Sequence, residues 1–190
     1  MNIPSQKECF KLIEKMDMMD HIIDHSIMVS NVARFLCLKL KKTSPDLDTR
    51  LAISAALLHD ITKTRSFDTK ERHSETGGRM LTELGYPEIG DIIRQHVILD
   101  SYENDSPVTV QEIVNYSDKR VLHDKVVSLD KRLEYIKVKY GTKKSFKDRI
   151  QIMWTNTINL EKKIFFHLNI TPNQLSDCIT EKIKKDEYFK

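Results

Sequence analysis

The chain has 190 residues, of which 39% are hydrophobic and 31% charged, enough apolar material for one sizeable core and too much for a disordered chain. With 31 basic and 28 acidic residues, the net charge of +3 is too balanced to indicate a nucleic-acid patch, although a small anionic ligand stays open. Five glycines and five prolines allow few tight turns, and Cys9, Cys37 and Cys178 are too scattered for a disulfide framework or a thiolate metal site. An all-α fold is expected, as one helical domain over residues 1–190 in a reducing cytoplasm, with neither a signal peptide nor a membrane span.

Along the chain, a first helix is predicted after Pro4-Ser5 through Phe10, Ile13 and Met16. A second follows the Asp17 to Asp20 break. Its inward stripe of Ile22, His25, Val29, Val32, Leu36 and Leu40 advances in steps of three and four, which puts His25 on the apolar face. Ser44-Pro45 predicts a new helix start. From Leu51 to Leu58 the chain is almost continuously apolar, so this helix is read as central, and it ends in His59-Asp60. The polar stretch Thr62 to Arg72 lacks periodicity and is predicted to be a loop over the mouth of a site, ending at His73. Ser74 to Leu84 is a short helix stopped by Gly85, and Pro87 opens another with Ile89, Ile92, Ile93 and His96 on its inner face.

Thr109 and Glu112 form a predicted capping box for a helix that carries Asp118 at the edge of its buried face, beside Val114 and Val121. His123-Asp124, a second His-Asp pair, has no apolar helix leading into it and is read as solvated helix surface. A further helix holds Leu129, Leu133 and Ile136 up to Gly141, and Ser145 is read as the cap of a long one through Leu168. Met153, Trp154, Phe165 and Phe166 are expected to serve as core or subunit contact, which leaves homo-oligomerisation open. Thr171-Pro172 starts the last helix, and Lys184 to Lys190 is expected to fray.

Taken singly, His25 or His96 would most simply be a hydrogen-bonded core histidine. Together, His25, His59, Asp60, His73, His96 and Asp118 supply four imidazoles and two carboxylates, a mixed set suited to Mn, Fe, Co, Ni or Zn. Burying so many titratable groups without a cation would be costly.

This order resembles the HD-domain superfamily of metal-dependent phosphohydrolases, whose signature is a helix His, an adjacent His-Asp pair and a later Asp. The matching residues are His25 in His25-Ser26-Ile27-Met28-Val29, His59-Asp60 in Ala55-Ala56-Leu57-Leu58-His59-Asp60-Ile61-Thr62-Lys63, and Asp118 in Tyr116-Ser117-Asp118-Lys119. The resemblance covers an HD core of about residues 20–122, with the C-terminal helices of about 126–185 packing on it. His73 and His96 occupy the places of the two extra histidines found in branches that hold two metals. Thr62 stands where the family has Gly before the lysine. Gly85-Tyr86-Pro87 spells a cyclic-dinucleotide phosphodiesterase signature, but outside its context, and is read as a helix stop and restart.

The resemblance implies two divalent transition-metal ions bridged by Asp60, with His25, His59 and Asp118 on one and His73 and His96 on the other. Lys63 would neutralise phosphate charge or protonate the leaving oxygen, and Arg65 would grip a terminal phosphate. The implied substrate is a nucleotide or nucleotide-like phosphate. Two rivals stand beside this reading: a nucleotide-sensing HD domain that keeps the cage without turnover, and a helical interaction protein that binds no metal.

Overall fold

The computed structural model describes residues 1–140, 144–180 and 182–185, excepting the side chains of 140 and 144–149. The architecture is all-α, apart from a hairpin of two two-residue strands. Helix α1 (Gln6–Lys15) opens with a capping box, Ser5 accepting from the Glu8 amide while Glu8 accepts from that of Ser5. Helix α2 (Asp20–Leu40) buries its whole predicted stripe, including His25.

The expected helix start at Ser44-Pro45 is corrected: residues 44–48 form turns, and α3 (Thr49–Leu58) begins only after them. The Lys41 ammonium donates to the carbonyls of Pro45 and Leu47, holding the turns. Asp48 then accepts from the amides of Arg50 and Leu51, which makes it the cap. Every residue from Leu51 to Leu58 is buried. Helix α3 sits against α1, α2, α6 (Pro87–Arg94) and α7 (Val110–Lys119), the central position its apolar sequence predicted.

The predicted loop over Thr62 to Arg72 is instead largely helix α4 (Lys63–Thr69), which ends where Lys70 turns left-handed at φ 58°. None of its residues is buried, so it has no apolar face from which periodicity could be read. Helix α5 (His73–Glu83) turns through Gly85, at φ +88°, into α6. These two helices touch backbone to backbone: a Cβ on Gly78 would lie 2.7 Å from the Gly90 carbonyl, and one on Gly90 would lie 2.5 Å from that of Gly78. The predicted capping box of Thr109 and Glu112 starts α7.

His123-Asp124 is not on a helix surface but in the turn between β1 (Val121–Leu122) and β2 (Lys125–Val126), where His123 has φ 56°. Helices α8 (Leu129–Tyr140) and α9 (Lys144–Phe166) follow. Gly141, the expected stop, lies outside the described residues, and so does the side chain of Ser145. The stripe on α9 divides: Trp154 is 1% exposed, whereas Phe166 is 84% exposed. Lys163 ties α9 to α7 through Glu112 at 2.7 Å, and Arg120 binds Glu161 at 2.9 Å and the Pro172 carbonyl.

After a 3-10 turn (Pro172–Gln174) and α10 (Leu175–Cys178), the chain returns to α2. The Ile183 amide donates to Asn31, and Lys185 pairs with Asp20 at 2.6 Å. The expected fraying is therefore corrected at Lys185, while 186–190 lie outside the described residues. Among the described residues, no helix is long and apolar enough to cross a membrane.

Candidate metal centre

Six side chains from separate parts of the chain converge where α2, α3, α5, α6 and α7 meet. His25 comes from the middle of α2, and His59-Asp60 from the turn that closes α3. Adjacent helical residues point about 100° apart, so the end of the helix is what lets both face one place. His73 is the first residue of α5, and Asp118 comes from the last turn of α7. His96 lies two residues beyond α6 rather than on its inner face, which corrects the predicted likeness to His25. Two close sets result, His25 with His59 and Asp118, and His59 with Asp60 and His96; within each, one ligand atom per residue lies within 4.8 Å of the others.

The protonation pattern follows from the backbone. Nδ1 of His25 is 3.0 Å from the His123 carbonyl, that of His59 is 2.8 Å from the Ala56 carbonyl, and that of His96 is 2.6 Å from the Ile93 carbonyl. A carbonyl only accepts, so each Nδ1 carries the hydrogen and each neutral ring presents a bare Nε2. These nitrogens face carboxylate oxygens: His25 Nε2 is 3.1 Å from Asp118 Oδ1, and His59 Nε2 is 3.3 Å from Asp60 Oδ2 and 3.8 Å from Asp118 Oδ1. His96 Nε2 is 3.6 Å from Asp60 Oδ1, and His73 Nε2 is 3.2 Å from both that oxygen and His96 Nε2.

Lone pairs facing lone pairs repel unless a proton or a cation lies between them. His59 Nε2 and Asp60 Oδ1 are moreover buried without any hydrogen-bond partner among the described residues. Donors about 2.0–2.2 Å from one ion lie about 2.8–3.6 Å from each other in tetrahedral or octahedral geometry, so the observed spacings suit divalent ions. Asp60 turns Oδ2 toward His59 and Oδ1 toward His73 and His96, so each of its oxygens faces imidazole nitrogen.

The charges are correspondingly perturbed. Burial opposes ionisation of Asp60, yet Lys63 and His59 outweigh it and hold its pKa well below the carboxylate range. Burial of Asp118 is likewise outweighed, by His25, Arg132, Lys119 and His59. Burial, reinforced by His59 and His73, pushes His96 well below the imidazole range. Burial also lowers His25, whereas in His59 it is overcome by Asp60 and Asp118 and the pKa rises. Lys119, buried against Asp118, is lowered to about 8 by desolvation.

His25, Asp60, His73, His96, Asp118 and Lys119 line a cavity of about 650 Å³, with His59 buried behind them. Apolar Ile136, Ile150 and Met153 form part of its remaining wall, so Met153 lines the cavity instead of serving only as core. Lys63 reaches into the site and donates to Asp60 Oδ2 at 2.6 Å. Arg65 does not line the cavity; it is half exposed and pairs with Glu71 at 2.7 Å, so it stands away from where a phosphate grip was expected. Among the described residues, Lys119 from the motif and Arg132 and Lys139 from beyond it also line the cavity. Sequence reasoning missed Arg132 because nothing in its neighbourhood distinguishes it from other helix-surface cations. It also missed that the turn holding the second His-Asp pair serves the site: the His123 carbonyl accepts from Nδ1 of His25 and orients that ring.

The family pattern described as HD domain matches residues 22–135, a span that contains all six converging side chains, and the chain belongs to that family. Its members are metal-dependent phosphohydrolases in general, the chemistry this donor set suits. An uncharacterized protein of Methanocaldococcus jannaschii, MJ0778, is 25% identical over 156 residues, covering 75% of this chain and 91% of its own length. The crystal structure of a predicted HD superfamily hydrolase from an uncultured Thermotogales bacterium aligns with 87% of this chain and 94% of its own, at 19% identity and TM-score 0.48.

Proposed function

We propose that the protein hydrolyses a phosphate ester or anhydride of a small, nucleotide-like substrate. In this reading His25, His59 and Asp118 hold one divalent ion, His73 and His96 hold a second, and Asp60 stands between them. The observation that carries it is the trio of imidazoles anchored through Nδ1 to backbone carbonyls, each turning a bare Nε2 toward Asp60 or Asp118. When bound, divalent ions supply an acidified water and positive charge for phosphoryl oxygens.

The chain's own groups do the rest. Asp60, buried, and Asp118, part-buried, have pKa values held well below the usual carboxylate range, which favours the charged form in the donor set. Lys63 is 25% exposed at the cavity edge, near enough to Asp60 to meet a phosphoryl oxygen or give a proton to a leaving oxygen there. Apolar Ile136, Ile150 and Met153 provide a surface for the organic part of the substrate and exclude water from it.

Purified protein should carry transition metal, and a panel of phosphomonoesters, phosphodiesters and nucleoside polyphosphates with Mn, Fe, Co and Ni should reveal turnover. Asp60→Ala should abolish it. Full activity in that variant, with metal content unchanged, would refute the mechanism. Tight nucleotide binding by wild type without product would favour a sensing role instead.

A further inference from the structure

We propose that Arg132, on α8, is the residue that grips the substrate's phosphoryl oxygens, the role the sequence assigned to Arg65. The proposal deepens the phosphohydrolase reading and rests on it.

The guanidinium carries five N–H donors in a rigid fork. The Arg132 side chain is only 12% exposed, yet among the described residues its hydrogen bonding is a single long contact, NH2 to Asp118 Oδ1 at 3.4 Å. Its Nε is buried with no hydrogen-bond partner among the described residues. The Tyr135 ring, 5.8 Å from the guanidinium carbon, offers a π face but no acceptor for the fork. A buried guanidinium Nε–H with no acceptor among the described residues is costly unless a ligand or water supplies one. Arg120 shows what a structural arginine in this protein looks like: its donors go to Val127 O, Tyr116 Oη, Glu161 and Pro172 O.

Position selects the ligand. Arg132 lines the same cavity as the metal-site residues, and the oxygen it touches is also the one 3.1 Å from His25 Nε2 and 3.8 Å from His59 Nε2. An acceptor held by the fork is thus one side chain away from the metal donors, where a phosphoryl group must lie for hydrolysis. Two parallel N–H donors match a tetrahedral oxyanion better than a point charge does. Lys63 approaches Asp60 from α4, and the organic body falls to Ile136, one turn along α8 from Arg132.

The test is equilibrium binding of inorganic phosphate, the product common to all phosphomonoesters, to the Mn-loaded full chain by calorimetry. Metal content is measured in the same samples. Arg132→Met should weaken phosphate binding on the order of 10- to 100-fold with metal content unchanged, from loss of a charge-assisted hydrogen-bonded pair. Arg132→Lys, which keeps the charge and guards against misfolding, should recover only part of the affinity because it lacks the fork. Wild-type phosphate affinity in either variant would overturn the proposal, as would loss of metal from both, which would make Arg132 a positioning residue for Asp118. Absence of any phosphate binding by the wild type would overturn it too. Absence of turnover across the phosphoester panel would instead refute the hydrolase reading alone, because phosphate binding is measured without it.

Discussion

Gly90→Ala probes whether the α5–α6 contact sets the spacing of the second half of the site. His73 begins α5 and His96 follows α6, so their 3.2 Å separation depends on how closely these helices approach. The added methyl would lie 2.5 Å from the Gly78 carbonyl oxygen, where ordinary contact begins near 3.4 Å, and would also meet the Thr82 hydroxyl. Thr82 can rotate away, but the carbonyl is backbone, so the helices must part by on the order of 1 Å, an overpacking that costs about 1–3 kcal/mol. A displacement of that size near reacting groups can reduce catalysis by about 100-fold.

Urea unfolding should therefore show a loss in that range, and, if His73 and His96 hold an ion as proposed, metal analysis should show its depletion. Gly85→Ala is the control. Its Cβ meets nothing within 4 Å, but its φ of +88° strains any L residue, so stability should fall by about 1 kcal/mol without change in metal content. A Gly90→Ala protein with wild-type stability and full metal occupancy would refute the reasoning.

His123→Ala should retain metal and activity within a few-fold, because only the backbone carbonyl of His123 reaches His25, whereas His25→Ala should lose metal; plasma emission analysis of both variants separates the two roles. In metal-free protein, His96 has a folded pKa below its unfolded value near 6.5, so the unfolded chain takes up its proton first and stability falls as pH drops below about 6.5. His25 acts in the same sense. His59, whose folded pKa is raised, opposes them: its contribution is complete below the unfolded pKa and is lost as pH rises through the folded one. Asp60 and Asp118 contribute above the ordinary carboxylate range and down to their depressed folded values. His96→Asn should therefore flatten the decline between about pH 6.5 and 5 by up to about 1.4 kcal/mol per pH unit, read by urea unfolding in EDTA; an unchanged slope would refute this assignment.

The sequence alone determined the all-α class, the central α3, the capping box of Thr109 with Glu112, and the identity of the six converging side chains. Each of these is written locally, as apolar periodicity, as a capping pattern, or as a residue type at the end of an apolar run. Where the signal is not local, the reading failed. Helix α4 is too exposed to show a stripe, and the turns at 44–48 depend on Lys41 reaching two carbonyls. The turn at His123 places a carbonyl against a ring 98 residues away in sequence. Arg65 and Arg132 show the limit most plainly: both are helix arginines, and only the packing of α8 over the cavity decides that one turns inward while the other pairs with Glu71 at the surface. Residue chemistry is fixed by sequence, but which donors remain without a partner is fixed by the tertiary contacts around them.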